Sequence, residues 1–199
     1  VITGSKKLVR VIACGAIARE ILAICEAGGL EHIDLSCLPA ILHNSPNEIP
    51  ARVEQEIIAA KESGIENIFI AYADCGTGGL LDNICEKYGV ERIAGPHCYS
   101  FFSGDEAFAA QGDDAMRSFY LTDFLARQFT SFVVKPLGLD RYPQLRDMYF
   151  GHYEKLVYLV QDEDPELDKK AQEAAEFLGL KFERRYTGYG DLTANLTQL

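Results

Sequence analysis

The sequence predicts an α/β protein: a single doubly wound, mostly parallel sheet of about six strands, with helices on both faces and a helical cap. Three observations carry this expectation. Short apolar runs of strand length alternate with longer segments of helical period, the pattern of βαβ units. Glycine or proline punctuates most junctions, as at Gly28-Gly29, Gly64 and Gly89. Of the 199 residues, 48% are hydrophobic, enough for one substantial core and one domain.

Residues 8–13, Leu-Val-Arg-Val-Ile-Ala, read as the first strand. Cys14-Gly15-Ala16 turns into a helix reaching Ala27, with Ile17, Ile21, Leu22, Ile24 and Cys25 on its apolar face. Gly28-Gly29 ends it, and residues 31–37 form a second strand. Leu38 to Pro50 holds three prolines and two asparagines, so most of it is a loop. Pro50 opens a helix to Ser63. Strand three, residues 67–73, leads into Asp74-Cys75-Gly76-Thr77-Gly78-Gly79 and then a helix ending near Tyr88-Gly89. Val90 to Ala94 is a short fourth strand, followed by Gly95-Pro96-His97-Cys98. Residues 99–150 are less regular and read as the cap, with an extended stretch at Ser118–Leu121 and a helix from Thr122 to Val134. Lys155 to Gln161 is the clearest late strand; an acidic helix over residues 166–178, a last strand at Phe182–Tyr186 and a short helix over residues 192–199 complete the chain.

The totals exclude several classes of function. A formal net charge of -11 leaves no positive footprint for nucleic acid. No apolar run is long enough to cross a bilayer, and Val1 to Lys7 is short and polar, so no membrane association and a cytoplasmic location are expected. The six cysteines, at positions 14, 25, 37, 75, 85 and 98, form no CxxC knuckle. Buried structural thiols, a metal site and a reactive thiol all remain open. Cys25 and Cys85 sit in apolar helical faces and read as core; Cys37 is intermediate.

Cys14, Cys75 and Cys98 share one context, the end of an apolar strand entering a turn. Parallel neighbouring strands bring such ends to the carboxyl edge of the sheet, where ligands bind. Three thiolates suit zinc or another soft transition metal, with a fourth donor not evident from the sequence. His97 and His43 are candidate imidazoles, and Asp74 and Asp34 candidate ligands or acceptors behind them. The competing chemistry is a metal-free cysteine enzyme acting on a small carboxylated metabolite. There Cys75, with a pKa lowered at a helix start, is the nucleophile, His97 its base, and Asp74 or Asp34 the orienting group. Gly76, Thr77, Gly78 and Gly79 can cradle a phosphate, a carboxylate or a cofactor tail, and His43 can join them from a lid. The loop lacks the lysine and spacing of a P-loop. A binding or assembly module without catalysis is the third reading.

Several segments together resemble the domain-of-unknown-function family numbered 1638. They are Ala13-Cys14-Gly15, Leu38-Pro39-Ala40 with His43-Asn44, and Tyr72-Ala73-Asp74-Cys75-Gly76-Thr77-Gly78. Pro96-His97-Cys98-Tyr99, Leu121-Thr122-Asp123-Phe124, Leu137-Gly138-Leu139 and Tyr158-Leu159 complete the set, over residues 8–190. The resemblance implies a soluble protein encoded near corrinoid-dependent methylamine methyltransferase systems. It therefore implies a metal-thiolate role in methyl transfer, or an accessory role with a corrinoid protein as partner and corrinoid reached only through that partner or a substrate. It marks Cys14, Cys75, His97 and Cys98 as motif residues and assigns none of them a role.

Overall fold

The computed structural model describes residues 7–199. The described chain forms two compact units. One runs to Phe101 and regains Asp191–Leu199; the other is Phe102–Gly190.

The first unit begins with β1 (Val9–Cys14), a one-turn 3-10 helix, and α1 (Ala18–Gly28). Gly29 closes α1 in the left-handed region at φ 60°, its N–H returned to the Cys25 and Glu26 carbonyls. β2 (Ile33–Leu38) follows, then two 3-10 turns at Ala40–Asn44 and Pro46–Glu48 inside the proline-rich loop. α2 (Ile49–Glu62) carries Pro50 in its first turn, where no N–H is missed. β3 (Asn67–Ala71), α3 (Leu80–Tyr88), β4 (Glu91–Arg92) and α4 (from Cys98 to Ser103) come next.

Its sheet is parallel, in the order β2-β1-β3-β4. The chain leaves β1 on one side to form β2, then crosses back past β1 to form β3. Right-handed crossovers in opposite directions put α1 and α2 on opposite faces. On the α2 face, Ile12, Leu38, Ile70 and Tyr72 pack with Val53, Ile57, Leu81 and Cys85. Alternation puts Val11, Ala13 and Ala71 on the other face, all fully buried.

The second unit opens with short helices, α5 (Asp105–Ala109) and α6 (Asp113–Met116). β5 (Ser118–Leu121) leads into α7 (Asp123–Phe129), capped by the Thr122 hydroxyl accepting from the Leu125 N–H. The helix expected through Val134 breaks at Gln128, and Thr130–Val134 is a π turn. α8 (Leu145–Phe150), β6 (Lys155–Val160), α9 (Pro165–Leu178) and β7 (Lys181–Tyr186) complete it. The parallel order β5-β6-β7 buries Leu156, Tyr158 and Val160 with Leu167, Ala171, Ala175 and Leu178 of α9. α10 (Asp191–Thr197) belongs to the first unit and packs on α1.

The α/β class is as expected, but the single sheet is not. Seven strands, among the described residues, divide into a sheet of four and a sheet of three. β4 is two residues long and pairs only with β3, which gives no ladder to a further strand. β5 pairs with β6 instead. Residues 99–150, expected as a helical cap, thus include a strand of the second sheet. Among the described residues no helix is long and apolar enough to cross a membrane.

Candidate functional site

The strand order reverses between β1 and β3, and the carboxyl edge at such a switch point is the usual ligand position in an open α/β sheet. Cys14 is the last residue of β1. Ala13 lies opposite Ala71, so one step further sets Cys14 beside Tyr72, on the same face as Ile12 and Ile70. Gly15 then turns tightly against β2: a Cβ there would come within 3.0 Å of the Leu38 carbonyl oxygen. Beyond β3, the Asp74 N–H donates to the Gly95 carbonyl (3.0 Å) and the Cys75 N–H to the Pro96 carbonyl (2.8 Å). These two bonds join the loop after β3 to the loop after β4, which carries His97 into Cys98, the first residue of α4.

The three thiols expected to converge all shift upward. Burial pushes the Cys98 thiol well up, and the nearby Cys75 and Cys14 add to the shift. Burial, then Cys14, then Asp74 push Cys75 up to about 12. Burial raises Cys14 as well, partly offset by the Ala16 backbone and by Tyr72. Tyr72 is 2% exposed, and its hydroxyl lies against the Cys14 thiol. Burial and that neighbouring sulfur hold the phenol far above its ordinary pKa. Among the described residues, no three His, Cys, Asp or Glu side chains are gathered as a group that could hold a metal ion. The three sulfurs sense one another without closing on a common point.

A fourth thiol lies near the end of β2. Cys37 is exposed, and partial burial and Cys14 raise its pKa. Its register partner is Ala13, so it starts on the opposite face from Cys14. Every strand of this sheet therefore has a cysteine near or beyond its carboxyl end. Cys85, by contrast, is a buried member of the α2-face core, as its helical position predicts.

The glycine loop is built differently from the expectation. Gly76, Gly78 and Gly79 have φ of 83°, 63° and 85°, which glycine alone adopts without strain. Their N–H groups do not face open space. Gly76 and Gly78 each donate to Asp74 Oδ2 (3.2 Å), and Gly79 donates to Oδ1 (2.9 Å). The Thr77 hydroxyl adds a bond to Oδ1 at 2.7 Å. The loop wraps a tethered carboxylate in place of a ligand's phosphate. The donors, with Gly79 foremost, hold Asp74 below the usual carboxylate range. The carboxylate expected to orient His97 or bind a metal is thus committed to its own loop.

Cys75 does not stand at a helix start. α3 begins at Leu80, and its cap is Gly79. The lowered pKa expected there is replaced by a raised one because burial, the Cys14 sulfur and the Asp74 carboxylate outweigh the Ala73 backbone bond and the Arg92 charge. Cys75 is also the one non-glycine at positive φ among the described residues, at 51°. Asp34 sits near the start of β2, where its carboxylate accepts from Arg10 Nε (3.0 Å) and Nη2 (2.7 Å). The His97 ring packs on Tyr99 at 5.0 Å between centroids. His43 lies in the first 3-10 turn after β2, where desolvation holds its imidazole below the ordinary value.

A family model described as "Protein of unknown function (DUF1638)" matches residues 37–196. The chain belongs to this family. The match starts at Cys37 and takes in Cys75, His97 and Cys98 with the whole second unit, while Cys14 precedes it. No curated protein and no solved structure matches the chain.

Proposed function

We propose that the protein holds a soft metal ion, zinc first, through the thiolates of Cys14, Cys75 and Cys98. The observation that supports this reading is that Cys14, Cys75 and Cys98 end or follow three adjacent parallel strands of one sheet, β1, β3 and β4. Such a donor set prefers zinc or another thiophilic cation to calcium or magnesium. With Cys75 near 12, the thiols stay protonated at neutral pH, which counts against the metal-free nucleophile. A bound cation inverts that balance by deprotonating its ligands. Binding requires the three side chains to rotate inward onto the ion.

When bound, such an ion keeps a thiolate charged at neutral pH and activates it as a nucleophile, the chemistry that methyl acceptance needs. The narrower form of the proposal is therefore methyl transfer, or an accessory role to it, with a methylated corrinoid protein as partner. A small ligand would enter at the same carboxyl edge.

Purification without added metal, followed by elemental mass spectrometry, tests the reading. About one soft metal ion per chain is expected, with the content collapsing in Cys75→Ser and Cys98→Ser. A folded protein that carries no stoichiometric metal and takes up none from added zinc overturns it.

A further inference from the structure

A groove of about 410 Å³ lies within the second unit, between α7 with its π turn on one side and α9 on the other. Every residue lining it belongs to that unit, so it stands apart from the cysteine edge and from the metal reading. Ala126 and Ala174, 3% and 2% exposed, leave room where longer side chains would fill it. The Phe129 and Phe177 rings meet edge to face at 6.0 Å, and Phe177 is 44% exposed. β5 and β6 pair in parallel, so the helices that follow them run the same way. Arg127 precedes Phe129 on α7 and Lys170 precedes Phe177 on α9, which puts both cations to the same side of the ring pair. Among the described residues neither cation has an ion-pair partner, although the chain carries a formal net charge of -11. Glu173 also lines the groove and pairs with Lys169 at 3.8 Å. The buried Asp123 carboxylate near Arg127 is already filled by donors from Tyr158, Gln161 and Asp162. Two like charges on one groove repel, and an anion between them removes the repulsion.

We infer that this groove binds a small amphipathic carboxylate, its charged end between Arg127 and Lys170 and its apolar body along Ala126, Ala174 and the Phe177 ring. The guanidinium fork of Arg127 takes a carboxylate through two parallel bonds, and the Lys170 ammonium adds a second positive charge. An exposed aromatic face beside a floor of alanines suits a flat ring or a short chain. The volume falls in the range of small-molecule sites, roughly 300–1,000 Å³.

Naphthoate is the probe, titrated into the isotope-labelled full chain and followed by NMR. Saturable shifts are expected at Ala126, Phe129, Ala174 and Phe177, with a Kd on the order of 0.1 mM. Naphthalenemethanol, the same ring without the charge, is expected to bind about tenfold more weakly. Arg127→Gln and Lys170→Gln together are expected to weaken naphthoate by about tenfold and to leave the alcohol unaffected. Equal affinity for acid and alcohol overturns the inference, as does naphthoate binding that the double variant leaves unchanged. Shifts that fail to saturate, or that fall elsewhere in the chain, also overturn it. Shifts of the same residues on raising the protein concentration without the probe put a second copy in the groove and overturn it too. Should the double variant not fold, Lys170→Glu at its exposed position is the second variant. Naphthoate affinity unchanged by that charge reversal overturns the inference.

Discussion

Cys75 combines two features that rarely coincide, a β-carbon and a left-handed backbone. At φ 51° a side chain is strained by about 1 kcal/mol or more, whereas glycine is not. Glycine offsets part of that gain by its larger unfolded-state entropy, about 0.5–1 kcal/mol. In metal-free protein, Cys75→Gly is therefore expected to unfold in urea within about 1 kcal/mol of wild type. Cys75→Val, with a branched β-carbon, is expected to lose about 2 kcal/mol. Equal stability of the two variants would show that the backbone there is relaxed. The cysteines at the ends of β1 and beyond β3 and β4 were legible in the sequence because each follows an apolar run. The role of Asp74 was not. A carboxylate beside Gly-Thr-Gly-Gly reads as an exposed ligand, and only the path of the chain turns it back onto four donors of its own loop. Cys37 was underweighted for a related reason. The strand over residues 31–37 was legible, but only the pairing of β2 with β1 puts its end next to Cys14.

At the scale of elements, Asp123 binds a strand, a helix and a loop into one piece. It is 1% exposed at the start of α7. Oδ1 accepts from the Tyr158 hydroxyl on β6 (2.8 Å) and from the Gln161 N–H (3.2 Å). Oδ2 accepts from the Asp162 N–H at 2.9 Å, and the Asp123 N–H donates to Gln161 Oε1 at 2.8 Å. Burial raises this carboxyl, and its three donors hold the shift in check. Removing the carboxylate strands a buried hydroxyl and two buried or half-buried amides together. Asp123→Ala is expected to cost about 3 kcal/mol in equilibrium unfolding, several times the cost of an exposed substitution. Tyr158→Phe, which removes one donor and leaves the backbone bonds, is expected to cost about 1 kcal/mol. A loss below 1 kcal/mol for Asp123→Ala would mean that water replaces the carboxylate. The sequence marked Thr122 as a cap and Lys155–Gln161 as a strand, and both stand. It could not reveal the break at Gln128, since Thr130–Val134 continues an apolar pattern that suits a helix and a π turn alike.

Across the whole molecule, the division into two sheets is the part of the fold least readable from residues. β3, β5 and β6 are all short and apolar, and each would suit the centre of one large sheet. Pairing is decided instead by the brevity of β4 and by which loops return a strand to which neighbour. The same topology sends the end of the chain back to its beginning. α10 packs on α1, and Leu192 and Leu196 are fully buried. α1 carries buried apolar residues of its own, Ile21, fully buried, and Ile24, 4% exposed. Ending the chain at Gly190 uncovers both sides of that contact. Two leucines at about 1.5–3 kcal/mol each set the scale, so the first unit is expected to lose about 4 kcal/mol. Amide exchange reads this locally: β1 and β3 should exchange far faster in the truncated chain. The thiols should respond in the same experiment, because Cys14 ends β1 and Cys75 hangs from β3. Alkylation of Cys14 and Cys75 in metal-free protein is expected to accelerate in step with the exchange of those strands. Faster exchange with unchanged alkylation would show that the carboxyl edge holds together without α10, and that the thiol site draws its order from α2 and α3 alone.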